Sequence, residues 1–387
     1  MKTKAIYAFS GDPITYGHID IIKRALQSFG SLIVAIGDNP EKHYLFDKFV
    51  RTAMAKKALE GIENITVLPF QGMLTDFAYE QQATIVVRGI RDVADFQYEN
   101  LLFKIGRAQA KALEFHYMLA DEKFTHISSG AAKAIQLEQG NVLDYVPLYV
   151  KSMLEQKISN QAVIGITGEI GAGKTHLTNL LSNFFQNLQL DCHYFDTDKI
   201  VGKILEEYTE PVYQDTRDRL AHNFGDSIIK HDGFIKIDKL KEKMFESRDN
   251  LLKVNEIMTT PVLHRLRKLM HGQRGVILIE SALFAELDLC SFTNNRVVLV
   301  DTPKDCQLLR LHKRGLNNNQ IATRLEAQMN TRVKAAKICQ AIENENFGRL
   351  WHFHNNEKDC NNKIKTLGQS LLEELKMKEN THVQLFI

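Results

Sequence analysis

Ala162-Val-Ile-Gly-Ile-Thr-Gly-Glu-Ile-Gly-Ala-Gly-Lys-Thr175 decides how the rest of the 387-residue chain is read. Residues 162–167 are an apolar, β-branched run that predicts a strand buried on both faces. Glycines and small residues follow, and Lys174 and Thr175 open a helical pattern. This is Gly-x-x-x-x-Gly-Lys-Thr in the strand–loop–helix setting it requires. Phosphate oxygens must meet backbone N–H groups at close range, so Gly168, Gly171 and Gly173 cannot carry side chains there. The helix N-terminus adds partial positive charge. Lys174 is expected to reach the β- and γ-phosphates, and the Thr175 hydroxyl to hold Mg²⁺. Gly171, Ala172, Gly173, Lys174, Thr175 and His176 are the expected ATP contacts.

Such a loop follows the first strand of its domain, so the residues before it form a domain of their own. The expected division is 1–158, a short polar linker at 156–161, a second domain at 162–378 and a tail at 379–387. Downstream of the loop, a strand at 192–195 ends in Asp196-Thr-Asp198. Either acid could serve as a general base, position Mg²⁺ or cap a helix, and position alone leaves all three open. A buried strand at 275–280 ends in an acid, and another lies at 296–300. Helices over 303–314 and 319–330 carry Arg310, Arg314 and Arg324. These could close as a lid over a transferred phosphoryl group, or line a solvated helix face.

Upstream, apolar runs at 4–9, 31–36, 65–69, 84–87 and 115–119 alternate with helical patterns. That alternation implies a parallel sheet covered on both sides, with ligands beyond the C-terminal strand ends. Ser10, His18, Lys42, Arg88, Arg91, Ser128 and Ser129 collect at those ends. Cations, a histidine and hydroxyls converging on one crevice suit phosphate groups. Taken singly, His18 reads as a helix cap and Lys42 as a solvated loop residue. Arg88 and Arg91 could pair with Asp92, Asp95 or Glu99.

Composition narrows the classes. Lys+Arg 49 against Asp+Glu 47 makes no demand for nucleic acid or an anionic membrane. Five scattered cysteines without a C-x-x-C read as free thiols in a reducing cytosol, and the expected location is cytoplasmic. No apolar run approaches the ~18 residues of a membrane span, and the N-terminus leads directly into a strand too short for a signal-peptide core. His352 and His354 alternate on one strand face with no third ligand placed for a metal.

Ala5-Ile-Tyr-Ala-Phe-Ser-Gly-Asp-Pro-Ile-Thr-Tyr-Gly-His-Ile-Asp20 resembles the opening of bacterial phosphopantetheine adenylyltransferases. Arg88-Gly-Ile-Arg-Asp-Val-Ala-Asp-Phe-Gln-Tyr-Glu99 resembles their central motif, and Ile127-Ser-Ser-Gly130 their late serine-rich motif. The resemblance implies a Rossmann-like nucleotidyltransferase. It implies ATP bound by Ser10, Gly11, His18, Gly89, Ile90, Arg91, Glu99, Phe124, Ile127, Ser128, Ser129 and Gly130. It implies phosphopantetheine bound by Ser10, Lys42, Leu74 and Arg88, with His18, Lys42 and Arg91 assisting adenylyl transfer. Members of that family form hexamers, which suggests a homo-oligomer through the first domain.

Residues 162–375 resemble dephospho-CoA kinases in the phosphate loop, in Phe195-Asp-Thr-Asp198 and in Arg324-Leu-Glu-Ala-Gln328. That implies a P-loop kinase with a helical lid and acceptor region, ATP and Mg²⁺, with Lys174 and Asp198 as catalytic groups. The expected fold class is therefore α/β, with two parallel-sheet domains. The expected function is the last two steps of coenzyme A synthesis, acting on ATP, 4′-phosphopantetheine and dephospho-CoA.

The chain departs from both patterns. Phe9-Ser-Gly-Asp12 stands for Gly-Thr-Phe-Asp, and Gly130 for a hydroxyl residue. In the second half, Thr260-Pro261 stands for His-Pro, Ala282-Leu-Phe-Ala-Glu286 for Pro-Leu-Leu-Phe-Glu, and Ile338-Cys339 for Ala-Asp. These acceptor-side changes motivate an alternative, an adenylyltransferase whose P-loop domain binds nucleotide without phosphorylating. A different phosphorylated acceptor in the first site is a third reading.

Overall fold

The structure is a computed structural model describing residues 4–109, 113–244, 246–356 and 360–376. The tail at 379–387 lies outside the described residues. The chain separates into two compact units between Ile158 and Ser159.

In the first unit, strands β1 (Lys4–Phe9), β2 (Ser31–Ile36), β3 (Ile65–Pro69), β4 (Ile85–Ile90) and β5 (Glu114–Leu119) alternate with helices. The helices are α1 (Tyr16–Phe29), α2 (Lys48–Ala58), α3 (Leu74–Glu80), α4 (Val93–Gln109), α5 (Ser129–Leu137) and α6 (Leu148–Leu154). All pairings are parallel, in the order β3-β2-β1-β4-β5. Alternate residues of β1 serve two cores. Ala5 and Tyr7 join one cluster and Ile6 and Ala8 the other, as a sheet covered on both faces requires. The chain goes from β1 outward to β2 and β3, then returns to place β4 on the other side of β1. That reversal opens a crevice beyond the C-terminal ends of β1 and β4.

In the second unit, β6 (Gln161–Gly168), β7 (Cys192–Asp196), β8 (Gly275–Glu280), β9 (Arg296–Asp301) and β10 (Arg349–His354) form a second parallel sheet. Its order is β10-β9-β6-β8-β7. Its helices are α7 (Lys174–Asn187), α8 (Thr197–Glu206), α9 (Pro211–Phe224), α10 (Ile237–Met244), α11 (Arg248–Met270), α12 (Lys304–Lys313), α13 (Asn318–Glu326), α14 (Thr331–Glu345) and α15 (Cys360–Lys376). β6 is central and buried along its whole length. Val163 faces the core made with α8–α11, while Ala162, Ile164 and Ile166 face the core made with α7 and α15. Ile164 and Ile166 are fully buried, each contributing about 1.5–3 kcal/mol.

Two expectations need correction. The short linker expected at 156–161 is mostly taken up by regular structure, because a π-helical turn occupies Glu155–Ser159 and β6 starts at Gln161. The fourth strand does not stop at Val87. Its pairing with β5 continues through Arg88, Gly89 and Ile90, so Arg88 projects from the strand itself. Thr260 and Pro261 lie inside α11, which continues through the proline to Met270.

Candidate active sites

A cleft of about 870 Å³ opens at the strand-order reversal of the first unit. Ser10, Gly11, His18, Lys42 and Leu74 line it, as do Arg88, Gly89, Arg91 and Glu99. Phe124, Ile127, Ser128, Ser129 and Gly130 complete the expected set. Ile90, expected among them, is buried at the end of β4 and does not line the cleft.

His18 occupies the first turn of α1. Its Nδ1 accepts the Thr15 backbone N–H at 3.1 Å and lies 2.8 Å from the Thr15 hydroxyl. The ring stacks on Phe9 at 4.4 Å between centroids. Burial, and then the charges of Arg91 and Lys42, push its pKa down to about 3. The ring is therefore neutral, and because Nδ1 accepts a backbone N–H the proton sits on Nε2. The capping role and the donor role are compatible, since they use opposite nitrogens.

Both arginines at the end of β4 are paired with carboxylates of α4. Arg88 Nε lies 2.6 Å from Glu99, and its Nη1 donates to Ala8 O at 3.0 Å. Arg91 makes a two-pronged contact with Asp95 at 2.8 and 3.0 Å. Burial raises the Glu99 pKa, while Arg91 holds the Asp95 carboxyl low against its own burial. Ser128 caps α5 by accepting from Ala131 N–H at 3.0 Å, and Ser129 donates to Pro13 O at 2.7 Å. Nothing but the Ser128 hydroxyl, at 3.8 Å, stands near a Cβ placed on Gly130.

Arg51 was not singled out by the sequence. It is 1% exposed and ties three cleft loops together. It donates to Phe46 O at 3.1 Å, to Gly37 O at 2.9 Å and to Ser10 O, pairs with Asp38, and lies over the Tyr44 ring at 4.1 Å. Asp12 adds a second tie through the Leu45 and Phe46 N–H groups and Lys133.

In the second unit the phosphate loop joins β6 to α7. Gly173 has φ +94°, and a Cβ there would lie 2.0 Å from Asn355 Nδ2. Lys174 is buried and donates to Gly168 O at 3.1 Å and Glu169 O at 3.3 Å. Burial lowers its pKa, while the charges of Asp198 and Glu280 raise it. Thr175 donates to Glu280 Oε1 at 2.9 Å, and Tyr194 donates to Glu280 Oε2 at 2.7 Å. His176 is exposed on α7.

Asp196 and Asp198 divide the roles left open above. Asp196 is the cap of α8, accepting from the Asp198 and Lys199 N–H groups. The Asp198 side chain has no such duty. It is reachable by solvent but walled by protein, which raises its pKa, and Lys174 pulls it back. Arg310 donates to Ala172 O at 3.0 Å and Gly171 O at 3.4 Å, so it grips the loop backbone. Arg314 ends α12, and Arg324 lies on α13. His354, set aside as a metal ligand, lies 2.5 Å from Asp301.

Family models match residues 10–135 as cytidylyltransferase-like and residues 162–348 as dephospho-CoA kinase. The phosphopantetheine adenylyltransferase of Proteus mirabilis (strain HI4320) is 37% identical over 161 residues, 42% of this chain and 100% of that protein. The phosphopantetheine adenylyltransferase of Geotalea daltonii is 38% identical over 155 residues, 40% of this chain and 96% of that protein. A crystal structure of TT1252 from Thermus thermophilus overlaps 56% of this chain and 98% of its own, at 19% identity and a TM-score of 0.43.

The chain belongs to the phosphopantetheine adenylyltransferase family. Its second half adds a dephospho-CoA kinase region, making a fusion of the two transferases. In this adenylyltransferase–kinase the two candidate sites are built differently, one around carboxylate-paired arginines at the C-terminal end of β4 and the other around the loop between β6 and α7. ATP-using families of both kinds generally employ Mg²⁺. The donors in the second unit fit it, since Thr175 Oγ1, Glu280 and Asp196 are oxygen ligands of the kind a hard cation takes. Glu280 escaped the sequence reading, which saw only a buried strand ending in an acid. Its place opposite Thr175 depends on β8 lying beside β6. Among the described residues no helix is long and apolar enough to cross a membrane.

Proposed function

We propose that the first unit transfers the adenylyl group of ATP to 4′-phosphopantetheine, and that the second phosphorylates the ribose 3′-hydroxyl of the resulting dephospho-CoA. The observation that carries the reading is the pairing of two phosphate-binding devices, the His18–Arg88–Arg91 cleft and the 168–175 loop, in one chain.

In the first reaction a 4′-phosphate oxygen attacks the α-phosphorus of ATP. The bond to pyrophosphate breaks, and no protein nucleophile is needed. Two polyanions must be brought together. Arg91 exchanges Asp95 for triphosphate oxygens, and His18 donates through Nε2 without changing charge. Lys42, Arg88 and Ser10 hold the acceptor phosphate, with Leu74 along its arm. Glu99, once released by Arg88, is turned toward the nucleoside. The 127–130 turn supplies further donors.

In the second reaction Asp198 takes the 3′-hydroxyl proton as that oxygen attacks the γ-phosphorus, and ADP leaves. The raised carboxyl of Asp198 suits a base better than an ordinary aspartate would. Lys174 and the loop N–H groups hold the phosphates, and Arg314 and Arg324 cover them as a lid. Bound Mg²⁺, held by Thr175 with Glu280 behind it, would neutralise phosphate charge. We place the protein in the cytoplasm, acting on small molecules, and assign its self-association to the first unit.

The test is product analysis. Full-length protein receives 4′-phosphopantetheine, ATP and Mg²⁺, and products are separated by mass. Coenzyme A is the expected product. Dephospho-CoA alone would leave the second unit as a nucleotide-binding module, the outcome to which Thr260 and Cys339 point.

A further inference from the structure

Glu169 lies in the phosphate loop, yet its side chain is turned to a different part of the second unit. One carboxylate oxygen, Oε1, accepts the Thr331 backbone N–H at 2.6 Å and the Thr331 hydroxyl at 2.9 Å. The other, Oε2, accepts from Gln307 Nε2 at 3.2 Å. Gln307 is 6% exposed and also donates to Ile170 O at 2.8 Å. Gln328 Oε1 accepts the Ile170 N–H at 3.1 Å. Two consecutive loop residues are thus fastened to α12, to the turn after α13 and to the first residue of α14.

The chemistry favours an anion at this place. Thr331 opens a helix of fifteen residues, so its N–H is one of the donors a helix leaves unpaired, and the helix dipole adds to the attraction. Charge-assisted bonds of this kind are about twice as strong as neutral ones. The fastened corner, 327–331, directly follows α13, the helix that carries Arg324. A second buried pair braces the same corner, because Lys334 donates to Ala282 O at 2.6 Å and pairs with Glu286, which accepts the Met329 N–H at 3.2 Å.

We propose that Glu169 is a positioning residue for phosphoryl transfer: it pins the corner between α13 and α14 to the phosphate loop, so that the loop which holds the nucleotide also sets where the arginine of α13 stands. Glu169 itself need not touch substrate. The proposal rests on the kinase reading of the second unit and adds a coupling between loop and lid that the reading does not require. The lid acts on the transferring phosphoryl group and the loop on ground-state phosphates, so loss of the latch falls on kcat more than on KM.

The test uses the full chain with Glu169→Ala, Glu169→Gln and Thr331→Val. Phosphorylation of added dephospho-CoA should show kcat lowered about tenfold in E169A with the KM for ATP changed less than about threefold. E169Q keeps an oxygen for Thr331 and should recover part of the loss, and T331V, which keeps the N–H donor, should lose less than E169A. In parallel, peptide-resolved hydrogen exchange with and without MgATP should show wild-type protection at both 174–180 and 327–334. E169A should keep the first and lose most of the second. Wild-type protection at 327–334 in E169A, or an unchanged kcat, overturns the latch. Loss of protection at both segments together also overturns it, by making Glu169 part of the loop's own folding. A wild-type chain that leaves dephospho-CoA unphosphorylated refutes the kinase reading instead, and the exchange comparison still decides the latch.

Discussion

The Thr175 hydroxyl donates to Glu280 Oε1 at 2.9 Å, across 105 positions of chain. Tyr194 fixes the other carboxylate oxygen at 2.7 Å and lies 3.3 Å from Asp196. A carboxylate held at both oxygens beside the phosphate loop would be preorganised to support the cation proposed for Thr175. Glu280→Gln should lower dephospho-CoA phosphorylation on the order of 10²-fold with nucleotide affinity little changed. Tyr194→Phe should raise the Mg²⁺ concentration needed for half-maximal rate by severalfold. Mg²⁺ titrations at saturating ATP check both, and a Y194F curve superimposable on wild type would refute the role of the hydroxyl.

Lys174→Ala separates the two activities. The ammonium is buried between two loop carbonyls and has no substitute. Phosphorylation should fall on the order of 10³-fold, while adenylyl transfer continues and dephospho-CoA accumulates. Time courses of both products give the answer, and undiminished coenzyme A formation would remove the second unit from catalysis.

His18 gives a pH prediction. Its native pKa is pushed to about 3, below the ordinary value of the unfolded chain. The unfolded state therefore binds the extra proton first as pH falls. Stability from this group is complete above about pH 6.5 and is lost between there and pH 3, at ~1.4 kcal/mol per unit. Adenylyl transfer should show no His18 titration between pH 6 and 8. The expected kcat/KM profile is flat there, and a break near 6.5 that vanishes in His18→Gln would contradict a neutral donor.

Arg51→Lys tests the cleft frame. Lysine keeps the charge but cannot reach Phe46 O, Gly37 O, Ser10 O and Asp38 together. Breaking such a buried arrangement costs about 3–5 kcal/mol. Thermal unfolding of the first unit should shift down by several degrees, and the KM for 4′-phosphopantetheine should rise because Ser10 and Lys42 lose their common anchor. Unchanged melting would mean that the loops hold without it.

Much was legible in sequence because its causes are local. β2 and β3 begin and end where their apolar runs do. The phosphate loop could be read residue by residue, since the positive φ of Gly171 and Gly173 and the helix opening at Lys174 are properties of a few adjacent residues. What the sequence could not fix was whatever depends on which segments meet. Strand order decided that β4 extends through Arg88 to pair with β5. It also brought Glu280 opposite Thr175. Asp196 and Asp198 are both acids at a strand end, and only the turn into α8 made one a cap and left the other free of that duty. Arg51 and Glu169 look like ordinary charged residues until folded. Arg51 then satisfies acceptors from three separate segments and Glu169 donors from two, and a hydrogen-bond network of that reach is a property of tertiary structure, because no local pattern encodes the distance between its ends.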